Sequence, residues 1–305
     1  MNVMKNRFFY ILITVAAVAG WTACDKIDDT LEIVSVQNIP ENINDTLFFA
    51  DSVMVTQKQV LLEDFTGHKC VNCPEAAFAA HQWAEDFNHR LVIYAIHAGY
   101  QAEPEETGLY TTDFRCPTGD ELFNHFNQPF NPSAPVDRVE YDGNLILYYI
   151  GGGWEAAVNT EMAKDNVINM KVKNTYYPNK KSVLINVSST ILQPLEGKYK
   201  IVVFLVEDHI IAAQKNNTPD IGPEPDWEDY DHRNVLRDAV NGTFGNYISD
   251  DGTVAEGETY SNEFYYTIND EWLTDTTDLN IIAYIYNEES GEILQVAELE
   301  VKNGD

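Results

Sequence analysis

Two cysteines separated by two residues, Cys70 and Cys73, stand between an apolar run and a helical pattern. The run at residues 60–65 predicts a buried strand, and apolar residues at helical spacing predict a helix over residues 72–88. Unpaired N–H groups and a partial positive charge at a helix N-terminus favour a thiolate on the first cysteine. Two intervening residues on the first helical turn bring the second sulfur within bonding reach. Pro74 suits this turn, so the stretch has the arrangement that a dithiol redox site needs.

Asp64 and Phe65 precede the first cysteine with four residues between, a spacing that resembles the strand, turn and active-site helix of the thioredoxin superfamily. More closely, the pattern F-T-G-x-x-C-x-N-C-P over residues 65–74 resembles the twenty-eight-kilodalton outer-membrane lipoprotein family of Bacteroidetes. Members of that family join a thioredoxin-like domain to a second domain. The resemblance covers most of the chain and implies an outer-membrane lipoprotein with this fold.

The first residues have the three parts of a secretory signal peptide. Lys5 and Arg7 precede an apolar run at residues 8–20, and small residues follow it. Cys24 comes directly after, which predicts a lipoprotein signal peptide over residues 1–23 and a lipid group on Cys24. The alternative is an ordinary signal peptide with an incidental cysteine, although a free exposed thiol is a liability in a secreted chain.

Residues 24–57 are polar and predict a lipidated tether that leads into the first strand. Its acidic start, with Asp25, Asp28 and Asp29, resembles the signal that exports Bacteroidetes lipoproteins to the exterior face of the outer membrane; the alternative is a solvated tether. The whole chain has 19 basic and 49 acidic residues, so its formal net charge is -30. This charge argues against nucleic acid and anionic membrane as partners and leaves the lipid anchor as the membrane contact.

A thioredoxin-like α/β domain is predicted over residues 58–165. A second apolar run at residues 91–96 completes a βαβ unit, which requires a parallel sheet with a crossover helix. The segment 99–133 is rich in aromatic residues and is expected to form a lid or binding loop. Pro135 precedes a strand-like pattern and resembles the cis-proline that thioredoxin folds hold opposite the cysteine pair. Pro129 and Pro132 are the competing candidates, but neither leads directly into a strand-like pattern. Residues 154–164 then predict the closing helix.

Short alternating strands predict an all-β immunoglobulin-like sandwich domain over residues 166–305. The predicted strands cover residues 167–172, 182–188, 199–206, 263–268, 279–286 and 294–301. The expected fold class is therefore α+β and multidomain, with a thioredoxin-like domain followed by a β-sandwich.

Three further features have alternative interpretations. Cys116 could pair with a cysteine of another chain, form a mixed disulfide or be a buried thiol, and the last two are favoured equally. Residues 232–238 resemble the second recurring stretch of the lipoprotein family, and could pack on the first domain, meet a partner, or form a strand or short helix with two exposed cations. Residues 224–231 are acidic but lack EF-hand spacing, so a solvated loop is favoured over a metal site. No cofactor is expected, because no histidine follows the cysteine pair and no second pair completes a zinc site.

Two functions compete for the cysteine stretch. In a thiol-disulfide oxidoreductase, Cys70 attacks as the thiolate, Cys73 resolves, Asp64 moves a proton and Pro135 positions the substrate. In a binding or accessory lipoprotein, the fold is a scaffold, the Cys70–Cys73 disulfide stays closed, and a protein or peptide ligand binds near Cys70 and Pro135. Outside the outer membrane no obvious reductant would recycle the pair, so the binding module is favoured.

Overall fold

A computed structural model describes residues 47–269, Trp272 and residues 279–301, so the predicted signal peptide, Cys24 and the start of the tether lie outside the described residues. The helices are α1 (Cys73–Asp86), α2 (Pro117–His125) and α3 (Gly153–Met162). The strands are β1 (Phe49–Val55), β2 (Val60–Thr66), β3 (Leu91–His97), β4 (Ser133–Ala134), β5 (Leu147–Tyr148), β6 (Ile168–Tyr177), β7 (Ser182–Ile191), β8 (Tyr199–Glu207), β9 (Ile210–Lys215), β10 (Asp226–His232), β11 (Val235–Ala239), β12 (Asn246–Tyr247), β13 (Thr259–Thr267), β14 (Leu279–Asn287) and β15 (Ile293–Glu300). In these ranges no helix is long and apolar enough to cross a membrane.

The predicted βαβ unit is present. β2 and β3 pair in parallel from Val60 opposite Leu91 to Thr66 opposite His97, and α1 connects them. Both strands are buried along their whole length, as expected for parallel strands covered on both faces. They belong to a nine-stranded sheet in the order β15-β14-β8-β11-β3-β2-β4-β5, with β12 paired to β8.

Strand β11 joins strands from the two predicted domains. Its first residue, Val235, pairs in parallel with Ala95 of β3 and antiparallel with Glu207 of β8. The described residues all belong to one compact unit that spans residues 35–305. The nine-stranded sheet therefore crosses the boundary predicted at residue 166.

A second sheet, in the order β1-β6-β7-β13, shares a core with β8, β14 and β15. Alternate residues of β8 face two different cores. Val203 and Leu205 face the core between β8 and the second sheet. Phe204 lies instead in a central core that also contains Leu61 and Tyr94 of the βαβ unit. The described chain is thus mostly β with few helices in several sheets, which agrees with the expected α+β class.

Two ion pairs fix the segment after β4 to β2. Lys58 Nζ lies 2.6 Å from Asp137 Oδ2, and Arg138 Nε lies 2.7 Å from Glu63 Oε2. All four side chains are buried. The hydroxyl of Tyr94 also donates to Glu63, so the carboxylate in the central core has both a cation and a neutral donor.

The shared sheet predicts the behaviour of a fragment containing residues 166–305. Without β2 and β3, its half of the central core, which includes Phe204 and Tyr284, would be exposed to water. We expect the fragment to unfold at clearly lower denaturant concentration than residues 47–305, with a broader transition in urea followed by circular dichroism.

A fragment that unfolds as one cooperative β-rich unit, with the midpoint of the longer chain, would contradict this expectation and support two independent domains.

Candidate functional site

The cysteine pair lies in a tight turn between β2 and α1. Cys70 and Cys73 form a disulfide with an S–S distance of 2.09 Å and a Cα–Cα distance of 5.4 Å. The turn begins at Gly67, where a Cβ atom would lie 2.6 Å from the backbone carbon of Gln101. A side chain at this position would therefore push the turn away from the neighbouring loop, to which Lys69 N donates a hydrogen bond at the Gln101 carbonyl.

The helix begins where the sequence predicts. Asn72 is the N-cap, Cys73 is the first residue of α1 and Pro74 follows it. Cys70 lies before the helix, where a redox site would need it to be the more exposed cysteine. Both cysteines are buried, with exposed fractions of 1% for Cys70 and 2% for Cys73. A later part of the chain covers the turn.

The cover is the two-stranded β9–β10 hairpin, which the sequence analysis missed. Lys215 N donates to the carbonyl of His68 at 2.8 Å, and Asn217 N donates to the carbonyl of Val71 at 3.1 Å. Gln214 Nε2 donates to the carbonyl of Cys70 at 2.9 Å. The hairpin thus pairs with the backbone of the cysteine turn on both sides of Cys70 and excludes solvent from the disulfide.

Asp64 lies on β2 as predicted, and it is the least compensated group of the site. Its side chain is 3% exposed, and its Oδ1 atom has no hydrogen-bond donor among the described residues. Burial raises the pKa of Asp64 from 3.8 to about 7, because the charged form loses hydration. The carboxyl group can therefore hold or release a proton near neutral pH.

The prediction of a cis-proline at Pro135 was wrong. Among the described residues, cis peptide bonds precede Pro132 and Pro225. The pairing that was expected after Pro135 begins before it, since Ser133 pairs with Phe65 of β2, and it continues after the proline as a single bridge between Val136 and Leu62. The Pro135 carbonyl accepts a hydrogen bond from Glu63 N, further from the cysteine turn along β2, and Pro135 is not among the residues that line the cleft described below.

Histidine and aromatic rings pack together beneath the cysteine turn. Phe114, from the segment predicted as a lid or binding loop, contacts His97 and His232 with centroid distances of 4.7 and 4.3 Å. His68 of the turn lies 5.7 Å from the same ring. Burial lowers the pKa of all three histidines, with His232 at about 3, so the cluster is neutral at pH 7. These contacts bury the Phe114 ring and hold this part of the segment 99–133 against the histidines.

A cleft of about 620 Å³ opens between α1 and β10. Its lining includes Cys73 at the start of α1 and Glu85 near the end, so it extends about 18 Å along the helix. Asp64 and His97 also line it, whereas Cys70 does not. No group of three or more His, Cys, Asp or Glu side chains in the described ranges is arranged to hold a metal ion.

The two other predicted features have structural roles. Cys116 is a free, partly buried cysteine that caps α2, since its Sγ accepts a hydrogen bond from Gly119 N at 3.3 Å. Burial raises the pKa of Cys116 to about 11, which keeps it a thiol. Residues 232–238 include all of β11 except its last residue, and they pack against β3 through the hydrogen bond from Ala95 N to the Asn234 carbonyl.

A family model described as outer membrane protein Omp28 matches residues 120–304, more than half of the chain. This match confirms the resemblance stated from the sequence, although the cysteine pair lies outside the matched residues. No curated protein matches the chain.

Two solved structures are similar. A domain of the outer membrane lipoprotein Omp28 from Porphyromonas gingivalis is 19% identical, and the match covers 45% of this chain and 88% of that one with a TM-score of 0.29. A protein from Agrobacterium tumefaciens is 12% identical, and the match covers 81% of this chain and 96% of that one with a TM-score of 0.46. At these identities and TM-scores, neither likeness assigns a function.

The raised pKa of Asp64 predicts how stability depends on pH. Between pH 4 and 7 the unfolded chain has lost the Asp64 proton while the folded chain retains it, so its contribution to stability falls as the pH rises. Asp64→Asn removes this penalty and should stabilise the protein at pH 8 by up to about 4 kcal/mol. The gain should shrink steadily towards pH 5 in urea unfolding series.

Asp142→Asn is the matched control, because Asp142 is exposed in a surface turn and its replacement should leave the pH profile of wild type unchanged. A stability gain for Asp64→Asn that is equal at pH 5 and pH 8 would show that Asp64 does not titrate in this range.

Proposed function

Because this chain belongs to the Omp28 outer membrane protein family, we propose that it is a lipid-anchored lipoprotein that faces the exterior and acts as a binding or accessory module. The family supports the outer-membrane location. The βαβ unit with its cysteine turn supports a thioredoxin-like scaffold, and the two sheets that share a core support an immunoglobulin-like sandwich beside it.

The binding role is supported mainly by the β9–β10 hairpin, which covers the Cys70–Cys73 disulfide. An oxidoreductase needs an attacking sulfur that a substrate disulfide can reach, whereas the Cys70 sulfur lies under the β9–β10 hairpin. The cleft beside the hairpin, in contrast, is large enough for a small ligand or a few extended peptide residues. In this proposal the disulfide stabilises the turn at the start of α1, and the cleft binds the ligand.

The hairpin contacts predict how the disulfide responds to a reductant. Gln214→Ala removes hydrogen bonds to the cysteine turn and should speed reduction by dithiothreitol about fivefold, because a net loss of about 1 kcal/mol favours local opening. Gln193→Ala changes an exposed glutamine outside the turn and should leave the rate unchanged. Thiol labelling followed by mass spectrometry gives both rates.

A specific observation supports the alternative of a thiol-disulfide oxidoreductase. Cys73 and Asp64 line the same cleft, and the pKa of Asp64 near 7 suits proton transfer to or from a cysteine sulfur. In that reaction the Cys70 thiolate attacks a substrate disulfide and releases one substrate thiolate. Cys73 then attacks the mixed disulfide, which leaves Cys70–Cys73 oxidised and the substrate reduced.

The same labelling experiment separates the two functions. Rapid reduction of the wild type, together with a stable mixed disulfide on Cys70 in Cys73→Ser, would exclude the structural disulfide and establish the oxidoreductase. Slow reduction and no mixed disulfide are expected for the binding module.

The lipid anchor is tested at Cys24, which lies outside the described residues. Cys24→Ala should release the protein from the outer-membrane fraction, since the lipid on this cysteine is proposed to be its membrane attachment. Fatty-acid labelling of wild type and variant measures the modification, and protease treatment of intact cells measures surface exposure. Wild-type protein that carries no fatty acid yet stays in the membrane fraction would refute the anchor.

A further inference from the structure

The buried carboxylates of the described residues fall into two groups. Those of the first group each lie within 2.6–2.7 Å of a lysine or arginine nitrogen: Glu63 with Arg138, Asp137 with Lys58, Glu161 with Lys164, and Glu207 with Arg237. The second group is Asp64 and Asp208, which have no lysine or arginine partner in the described ranges. Both of these line the cleft, so the uncompensated buried carboxylates are found where a ligand can reach them.

At the second end of the cleft, Asp208 also has no ion pair with a lysine or arginine among the described residues. Asp208 accepts hydrogen bonds from the backbone N–H of Asn234 at 2.5 Å and from Asn280 Nδ2 at 2.9 Å, and both donors are neutral. Glu298 lines the same end, and burial together with the charge of Asp208 raises the pKa of Glu298 to about 7. Asp208 and Glu298 therefore repel each other, and the nearby charge of Arg233 offsets this repulsion only in part.

The remaining lining compensates this charge only in part. Glu85 and Asp231 add two carboxylates, whose partners are the imidazoles of His89 at 3.6 Å and His209 at 2.9 Å. Arg233 is exposed and is the single arginine or lysine among the described lining residues; its charge acts on Glu298 and by itself lowers the pKa of that carboxyl group. Burial lowers the pKa of His81 to about 4, so this histidine is neutral at pH 7. The cleft is thus negative and should repel an anionic ligand.

Aromatic side chains form part of one wall. The rings of Trp227 and Tyr230 meet edge to face at a centroid distance of 5.1 Å, and both line the cleft. Gly222 permits this arrangement, since a Cβ atom there would lie 2.1 Å from the Trp227 ring. Aromatic faces next to carboxylates bind amine and guanidinium groups well, because the ring quadrupole and the anion both attract a cation.

We propose that the cleft binds an organic cation, a primary amine or guanidinium group, with Asp64 as its partner at the disulfide end and Asp208 with Glu298 at the other. This inference rests on the proposed binding function and names its ligand class. The ligand supplies the positive charge that every other buried carboxylate of the described chain receives from its own lysine or arginine.

Titration calorimetry at pH 7.5 and 150 mM NaCl tests the proposal with two probes. Spermidine represents a free polyamine, and acetyl-Gly-Lys-Gly-amide represents a basic side chain on a peptide. Binding of both would show that the amine is recognised by itself, and binding of one would identify its source. Either result supports the cation site, whereas no binding of either probe at millimolar concentration would overturn it.

Variants distinguish binding in the cleft from non-specific attraction of a cation to a protein with a net charge of -30. Asp64→Asn and Glu298→Gln should each weaken binding of spermidine at least about tenfold, because each removes a carboxylate partner of one of its amines. Glu155→Gln removes an exposed carboxylate of α3 outside the cleft and should leave the affinity unchanged. Circular dichroism confirms folding of each variant.

Equal weakening by all three variants would mean diffuse attraction and would overturn the inference. Binding of a neutral probe such as maltotriose, without any binding of the amines, would overturn the ligand class while the binding module itself stands.

Discussion

Two buried ion pairs on neighbouring residues, Asp137 and Arg138, determine how the sheet is assembled. The Arg138 guanidinium lies in the central core against Glu63 and over the ring of Tyr284, while Asp137 pairs with Lys58. Breaking such a pair by removing one partner leaves an uncompensated buried charge and destabilises a protein by about 3–5 kcal/mol. Because Glu63 belongs to β2 and Tyr284 to β14, these contacts join the strand that precedes the cysteine turn to the C-terminal half of the chain.

This joining explains how the cysteine turn becomes covered. Once β11 lies beside β3, the preceding hairpin is positioned over the turn, and Gln214 reaches the Cys70 carbonyl across 144 residues of sequence. The covering residues come from the part of the chain that was predicted to be a separate sandwich. The chemistry available to the disulfide is therefore set by the second half of the chain as well as by the helix that begins at Cys73.

The sequence predicted the strands and helices that have a regular apolar spacing. It did not predict that a distant hairpin covers the cysteine turn. The strand at residues 60–65 and the helix at residues 72–88 agree with β2 and α1 to within two residues, because their apolar spacing reflects burial on the sheet. Strand β10 was missed, since its acidic sequence gives no apolar alternation and most of its residues remain partly exposed. The cis bond was assigned to Pro135 because a strand-like pattern follows it in the sequence, whereas pairing with β2 begins at Ser133, directly after the cis Pro132.

Asp64 would act differently in the two proposed functions, and its surroundings favour the binding role. Asp64 follows Val60 and Leu62 on one face of β2, where α1 and α3 bury the earlier residues and the cleft receives the later one. A proton-transfer role requires a reachable cysteine sulfur, which the hairpin prevents for Cys70. A binding role requires only a cation at the cleft, and the absence of a lysine or arginine beside Asp64 among the described residues leaves that position to a ligand.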